Sequence, residues 1–118
     1  MLDEKDLEII EALQSLGVPR NAAKLITCLA NVTEASSREI EMATDLRQPE
    51  VSIAMRILRK NNWVNEREIK GDGKGRPMKI YKLSVPIEEI IKHYGDAKNS
   101  ESTLAMESIQ KLREMIAT

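Results

Sequence analysis

The sequence predicts a mainly α fold carrying one small β-hairpin. Apolar residues recur at helical spacing over most of the chain, and between Trp63 and Leu83 the period changes to that of extended chain. The extended stretch is divided by Gly71-Asp72-Gly73-Lys74-Gly75-Arg76-Pro77, a glycine-rich tip joining two strands. With 118 residues, 42% hydrophobic and 31% charged, the composition is that of a globular protein rather than a disordered or membrane one. A chain of this length removes roughly two thirds of its unfolded surface from water, enough for one core without disulfides or metals.

Each element has a local cause. Asp3 is a capping candidate with Asp6 three places on, and Leu2, Asp6, Leu7, Ile9, Ile10 and Leu13 follow a helical stripe, so a helix is expected over 3–16 until Gly17 stops it. Pro19 opens a second helix, 19–31, at a position where its missing N–H costs nothing; Ala22, Ala23, Leu25, Ile26 and Leu29 form its inner face. After the small polar stretch Thr33 to Ser37, Ser36 or Ser37 caps a short helix, 36–44, holding Ile40, Met42 and Ala43. Asp45, Leu46 and Arg47 make a turn. Pro49 then opens a helix over 48–60 with Val51, Ala54, Met55 and Leu58 inward, and Asn61-Asn62, two poor helix formers, end it. The hairpin occupies 63–84. Ile87, Ile90, Ile91 and Tyr94 restore the helical period, Gly95-Asp96 is expected to break it, and a last helix is expected from about Ser100 to Ile116. The chain thus divides into a domain of 1–86 and a helical region of 87–118.

Two helices joined by a short turn and followed at once by a hairpin have the order of a helix-turn-helix with its wing. Residues 16 to 84 resemble the winged helix-turn-helix transcriptional regulators of the MarR, ArsR and TrmB-like superfamily. Four pieces carry the resemblance: Ser36-Ser37-Arg38-Glu39-Ile40, Leu46-Arg47-Gln48-Pro49-Glu50-Val51-Ser52, Ile57-Leu58-Arg59-Lys60-Asn61-Asn62-Trp63-Val64, and Gly75-Arg76-Pro77-Met78-Lys79-Ile80-Tyr81-Lys82-Leu83-Ser84. The resemblance, over residues 16 to 84, covers a little over half of the chain and implies a winged helix that binds double-stranded DNA. Asn62 stands where many relatives place glycine, and asparagine also enters the left-handed conformation.

The residues themselves point to the same chemistry. If Val51, Ala54, Met55 and Leu58 face the core, Gln48, Ser52, Arg56 and Arg59 fall largely on the exposed side. Arg56 can offer a forked pair of donors to guanine and Gln48 can pair with adenine, so Gln48, Ser52 and Arg56 are the candidate base readers. A solvated helix face is the bland alternative. Lys74 and Arg76 at the hairpin tip, with Lys70, Lys79 and Lys82, suit phosphate or the minor groove; lysines also discourage edge-to-edge strand pairing, and both uses are compatible. Arg47, Arg59 and Lys60 are further phosphate candidates, as are Ser36, Ser37 and Arg38, although capping alone explains the serines as well.

Net charge is −1, which taken alone argues against a nucleic-acid ligand, but its distribution does not. Residues 47–82 hold ten Lys or Arg against four acids, a net +6, leaving −7 elsewhere. Such segregation suits one surface facing a polyanion.

In the last helix Ala105, Ile109, Leu112 and Ile116 are spaced by four, three and four, with Ser102 before them and Glu101, Glu107, Lys111, Arg113 and Glu114 on other faces. The stripe either folds back onto its own domain or pairs with a second chain; a homodimer suits DNA, since two modules across a twofold axis read half-sites about 34 Å apart.

Other chemistries find little footing. Cys28, the single cysteine, has no partner in its own chain and reads as a small buried residue, the alternatives being a redox sensor or an intermolecular bridge. His93, beside Lys92 and Tyr94, reads as a surface residue near a helix end, and one Cys with one His is too few for a metal site within a protomer. Gly71-x-Gly73-x-Gly75 fails as a nucleotide loop because Arg76 takes the third glycine's place. No nucleophile with its base and no cofactor loop is present, so neither an enzyme nor a cofactor is expected. The start is acidic and no run approaches about 18 apolar residues, so a cytoplasmic protein with no membrane partner is expected, where Asn31-Val32-Thr33 would carry no glycan. A small-molecule effector between the DNA-binding part and the terminal helices is compatible with the resemblance, but no residue identifies one. The rival reading is a winged helix serving as a protein-interaction module in a transcription or other assembly.

Overall fold

The computed structural model describes residues 2–70 and 77–117. Its elements are α1 (Glu4–Ser15), α2 (Arg20–Ala30), β1 (Ala35–Ser36), α3 (Ser37–Thr44), α4 (Gln48–Lys60), β2 (Val64–Ile69), β3 (Met78–Leu83) and α5 (Ile87–Ala117). The fold is mainly α with a small antiparallel sheet.

Both early helices start where local chemistry dictates. Asp3 caps α1 by accepting the Asp6 N–H at 2.9 Å while Asp6 accepts the Asp3 N–H at 3.0 Å. The second Asp6 oxygen accepts from Asn31 Nδ2 at 2.9 Å, tying the start of α1 to the end of α2. These bonds, first the Asp3 N–H and then Asn31, hold the Asp6 carboxyl below its ordinary range. Gly17 ends α1 with φ +105°, a conformation other residues rarely adopt.

The core is built around α2, whose Ala22, Ala23, Leu25, Ile26, Thr27, Cys28 and Leu29 are all buried. Helix α1 contributes Ile10 and Leu13, α3 contributes Ile40, and α4 contributes Val51, Ala54, Met55 and Leu58. Leu7, included in the α1 stripe, is instead half-exposed, because it lies about 100° round the helix from Asp6. Met42 of α3 is likewise 72% exposed. Burial of the Cys28 thiol pushes its pKa up, so it stays protonated.

The sheet has three strands in the order β1-β3-β2, not the two of the expected hairpin. Ala35 and Ser36 pair with Tyr81 and Ile80, so the polar stretch before α3 supplies a short covering strand. On the other side β3 pairs with β2 from Val64↔Leu83 to Ile69↔Met78. The tip between these strands, including Lys74 and Arg76, lies outside the described residues.

The expected break at Gly95-Asp96 is a correction. Helix α5 runs unbroken for 31 residues, and Gly95 lies inside it without the positive φ of a helix cap. A glycine in a helix costs only about 1 kcal/mol against alanine. The turns before Gly95 are held by packing, for Ile90 is fully buried and the rings of Tyr94 and His93 lie 5.8 and 5.2 Å from Trp63. His93 is accordingly not at the end of a helix broken at Gly95 but in the second turn of α5, exposed as expected, with its ring edge-on to Trp63. No helix among the described residues is long and apolar enough to cross a membrane.

Candidate nucleic-acid interface

The turn between α3 and α4 is set by three residues. Asp45 caps α3 in the left-handed conformation (φ 59°, ψ 28°), Leu46 is buried, and Arg47 is extended and caps α4. The Arg47 N–H donates to Glu50 Oε1 at 3.1 Å, and Pro49 sits in the first turn, where no N–H is required. At the start of α3, Ser36 Oγ accepts the Glu39 N–H at 3.1 Å while the Ser36 N–H donates to Glu39 Oε1 at 3.0 Å. The same pair of bonds holds the Glu39 carboxyl below its ordinary range. Ser36 is buried, so capping is the use its geometry shows; Ser37 is half-buried and Arg38 exposed.

Helix α4 separates cleanly into two faces. Val51, Ala54, Met55 and Leu58 are buried, while Gln48, Pro49, Ser52, Ile53, Arg56, Arg59 and Lys60 are exposed. At 100° per residue the point opposite the buried stripe falls among Pro49, Ile53, Arg56 and Lys60. Gln48 and Ser52 form one flank, joined by a 3.4 Å hydrogen bond from Gln48 Nε2 to Ser52 Oγ. Sequence reasoning missed Pro49 and Ile53 because it sought polar side chains; the helical period alone places them outward.

The cations differ in their freedom. Arg59 Nε lies 2.7 Å from Glu66 Oε1, and Lys79 Nζ lies 3.7 Å from Glu66 Oε2, so one carboxylate of β2 bridges the end of α4 and strand β3. Arg67 grips both oxygens of Glu34, at 2.6 and 3.4 Å, fixing β2 to the chain leading into β1. Arg47, Arg56 and Lys60 make no ion pair among the described residues and stand exposed. The bridging role of Glu66 was not foreseen, since in the sequence it registers only as one acid inside a basic segment.

The stripe residues Ala105, Ile109, Leu112 and Ile116 lie on the distal part of α5, where residues 101–117 are all exposed. They do not fold back: Ile109 is 49%, Leu112 57% and Ile116 82% exposed. Leu104, Met106 and Met115, unremarked in the sequence, are also exposed there. A groove of 260 Å³ between the end of α2, β3 and the start of α5 is lined by Leu29, Val32, Lys82, Val85 and Ile87 among others. No group of three His, Cys, Asp or Glu side chains gathers among the described residues.

This is the winged helix-turn-helix fold. The chain superposes with a TM-score of 0.61 and 14% identity on a possible transcriptional regulator from Methanosarcina mazei Go1, over 86% of this chain and 87% of that one. With TrmBL2, described as an archaeal chromatin protein with a novel mode of DNA binding, the TM-score is 0.55 at 17% identity, over 96% of this chain and 42% of that one. A MarR-family transcriptional regulator from Silicibacter pomeroyi gives 0.52 at 12% identity, over 95% and 80%. At these identities the likeness is one of fold, that of the MarR and TrmB-like regulators. No family model matches the sequence, and no curated protein matches it either.

Proposed function

We propose that the protein is a sequence-specific regulator of transcription that binds double-stranded DNA as a homodimer in the cytoplasm. The observation that carries this is the outward face of α4, where a helix-turn-helix presents Gln48, Ser52, Arg56 and Lys60 to solvent within a segment of net +6. In such a module the second helix enters the major groove with its N-terminal part leading. Gln48, Ser52 and Arg56 read base edges, each bidentate contact discriminating by roughly 1–3 kcal/mol. Ser37, Arg38, Arg47 and Lys60 hold phosphates, as do Lys74 and Arg76 of the wing. Arg59 and Lys79 reach phosphate by exchanging Glu66 for it, an exchange that exposed ion pairs permit at small cost.

The exposed distal part of α5, residues 101–117, supplies the dimer contact. An exposed amphipathic helix of some 17 residues has little intrinsic stability in water, and its row of large apolar side chains fits a second copy of itself. The radius of gyration, 18.9 Å, is well above the roughly 13 Å of a compact chain of this length, as a projecting arm requires.

The test is a salt-titrated binding measurement on the DNA upstream of the protein's own gene and on a random duplex of equal length. Preference for the former by about 1000-fold, with log affinity falling linearly in log salt, supports a specific regulator. Failure to bind either duplex at low salt overturns the proposal and favours the interaction-module reading, in which this face is buried against a protein.

A further inference from the structure

Ile53 is 63% exposed at the middle of α4, on the side away from the core. It is a stiff, branched apolar side chain with Arg56 one turn beyond it, Lys60 two and Pro49 one turn before, and on one flank it borders a shallow pocket shared with Pro19, Ala22 and Ile57. We infer that Ile53 is a specificity-determining residue that contacts the C5 methyl group of a thymine in the major groove.

A protein groove shaped for an isoleucine would have to accept two cations beside it. Duplex DNA brings a base edge for Arg56, a phosphate for Lys60 and, between them, an apolar group that projects into the major groove, the thymine methyl. That charge complementarity selects the occupant. Reach selects it as well: a side chain ending at Cδ1 touches only what stands out from the groove floor, whereas the longer Arg56 extends to base edges. Since Ile53 and Arg56 are one helical turn apart, about 5.4 Å against a base-pair step of about 3.4 Å, the thymine lies within about two base pairs of the base that Arg56 reads. This rests on the DNA-binding reading and adds to it a base and a chemical group.

The test removes one methyl at a time. A duplex is selected from a random pool by the wild-type protein and resynthesised with deoxyuridine replacing each thymine in turn, which leaves every hydrogen-bonding group in place. Wild-type affinity is expected to fall about fourfold at one thymine per half-site, the worth of one buried methyl. In Ile53→Ser the same replacement is expected to change affinity less than twofold. Indifference of the wild type to every replacement, or undiminished sensitivity in Ile53→Ser, overturns the inference while leaving DNA binding intact. Failure to select any duplex instead overturns the DNA reading, and this inference with it. Ile53 is largely exposed, so Ile53→Ser removes little buried surface, and the wild-type profile alone suffices to reject the idea.

Discussion

Asn62 and Asp45 are the two residues other than glycine with positive φ among the described residues, at 60° and 59°. Each holds a turn that the interface depends on: Asp45 between α3 and α4, Asn62 between α4 and β2. The left-handed conformation costs most side chains roughly 1–2 kcal/mol, and Asn and Asp tolerate it best. Asn62→Gly is therefore expected to leave urea stability within a few tenths of a kcal/mol, and Asn62→Val to lower it by about 1–2 kcal/mol. Asn62 was legible because its type and its place after a helix both indicate a left-handed turn. The partnership of Asp6 with Asn31 was not, for nothing local joins residues 25 apart. It has a pH signature. The Asp6 carboxyl lies below its unfolded value, so its contribution is present above the ordinary carboxylate range and is lost as pH falls through the folded pKa. Asp6→Asn is expected to melt below wild type at neutral pH, with the difference narrowing as the solution is acidified.

At the scale of elements, α4 and α5 show how local and tertiary effects divide. The buried face of α4 could be read from spacing because four apolar residues at helical period suffice to orient a helix. The continuity of α5 could not, because a Gly-Asp pair is a weak stop and whether it acts depends on what holds the helix on either side. A Cβ at Gly95 would meet nothing within 4 Å. Gly95→Ala is therefore expected to raise stability by about 0.5–1 kcal/mol, seen as a higher thermal midpoint, whereas a break there in solution would make it neutral or harmful. Between α4 and the sheet, Glu66 engages two cations that the proposed function assigns to DNA. Glu66→Gln is expected to cost about 1 kcal/mol or less in stability, as exposed pairs do, yet to tighten binding to a random duplex at low salt. An unchanged affinity would place Arg59 and Lys79 away from the phosphates.

For the whole molecule, the governing feature is a core built on α2 from which a long helix projects, within extents of 77 × 28 × 24 Å. Ile109 and Leu112 lie on the projecting part with no core beneath them. The double variant Ile109→Glu/Leu112→Glu is expected to shift sedimentation from dimer to monomer while retaining the winged helix spectrum, and to weaken binding to a two-half-site duplex far more than to a single half-site. Dimeric sedimentation in that variant would move the dimer contact elsewhere.

The sequence by itself determined the succession of four helices and a hairpin, most of the inward face of each core helix, the turn residues and the concentration of positive charge in residues 47–82, because these depend on periodicity, on φ preference and on composition. Tertiary structure alone decided that Ala35 and Ser36 form a third strand, that Glu66 and Glu34 restrain particular arginines, and that His93 and Tyr94 of a helix continuous through Gly95 pack on Trp63. Those outcomes depend on contacts between residues distant in sequence, whose energies of about 1 kcal/mol rival the local preferences they override.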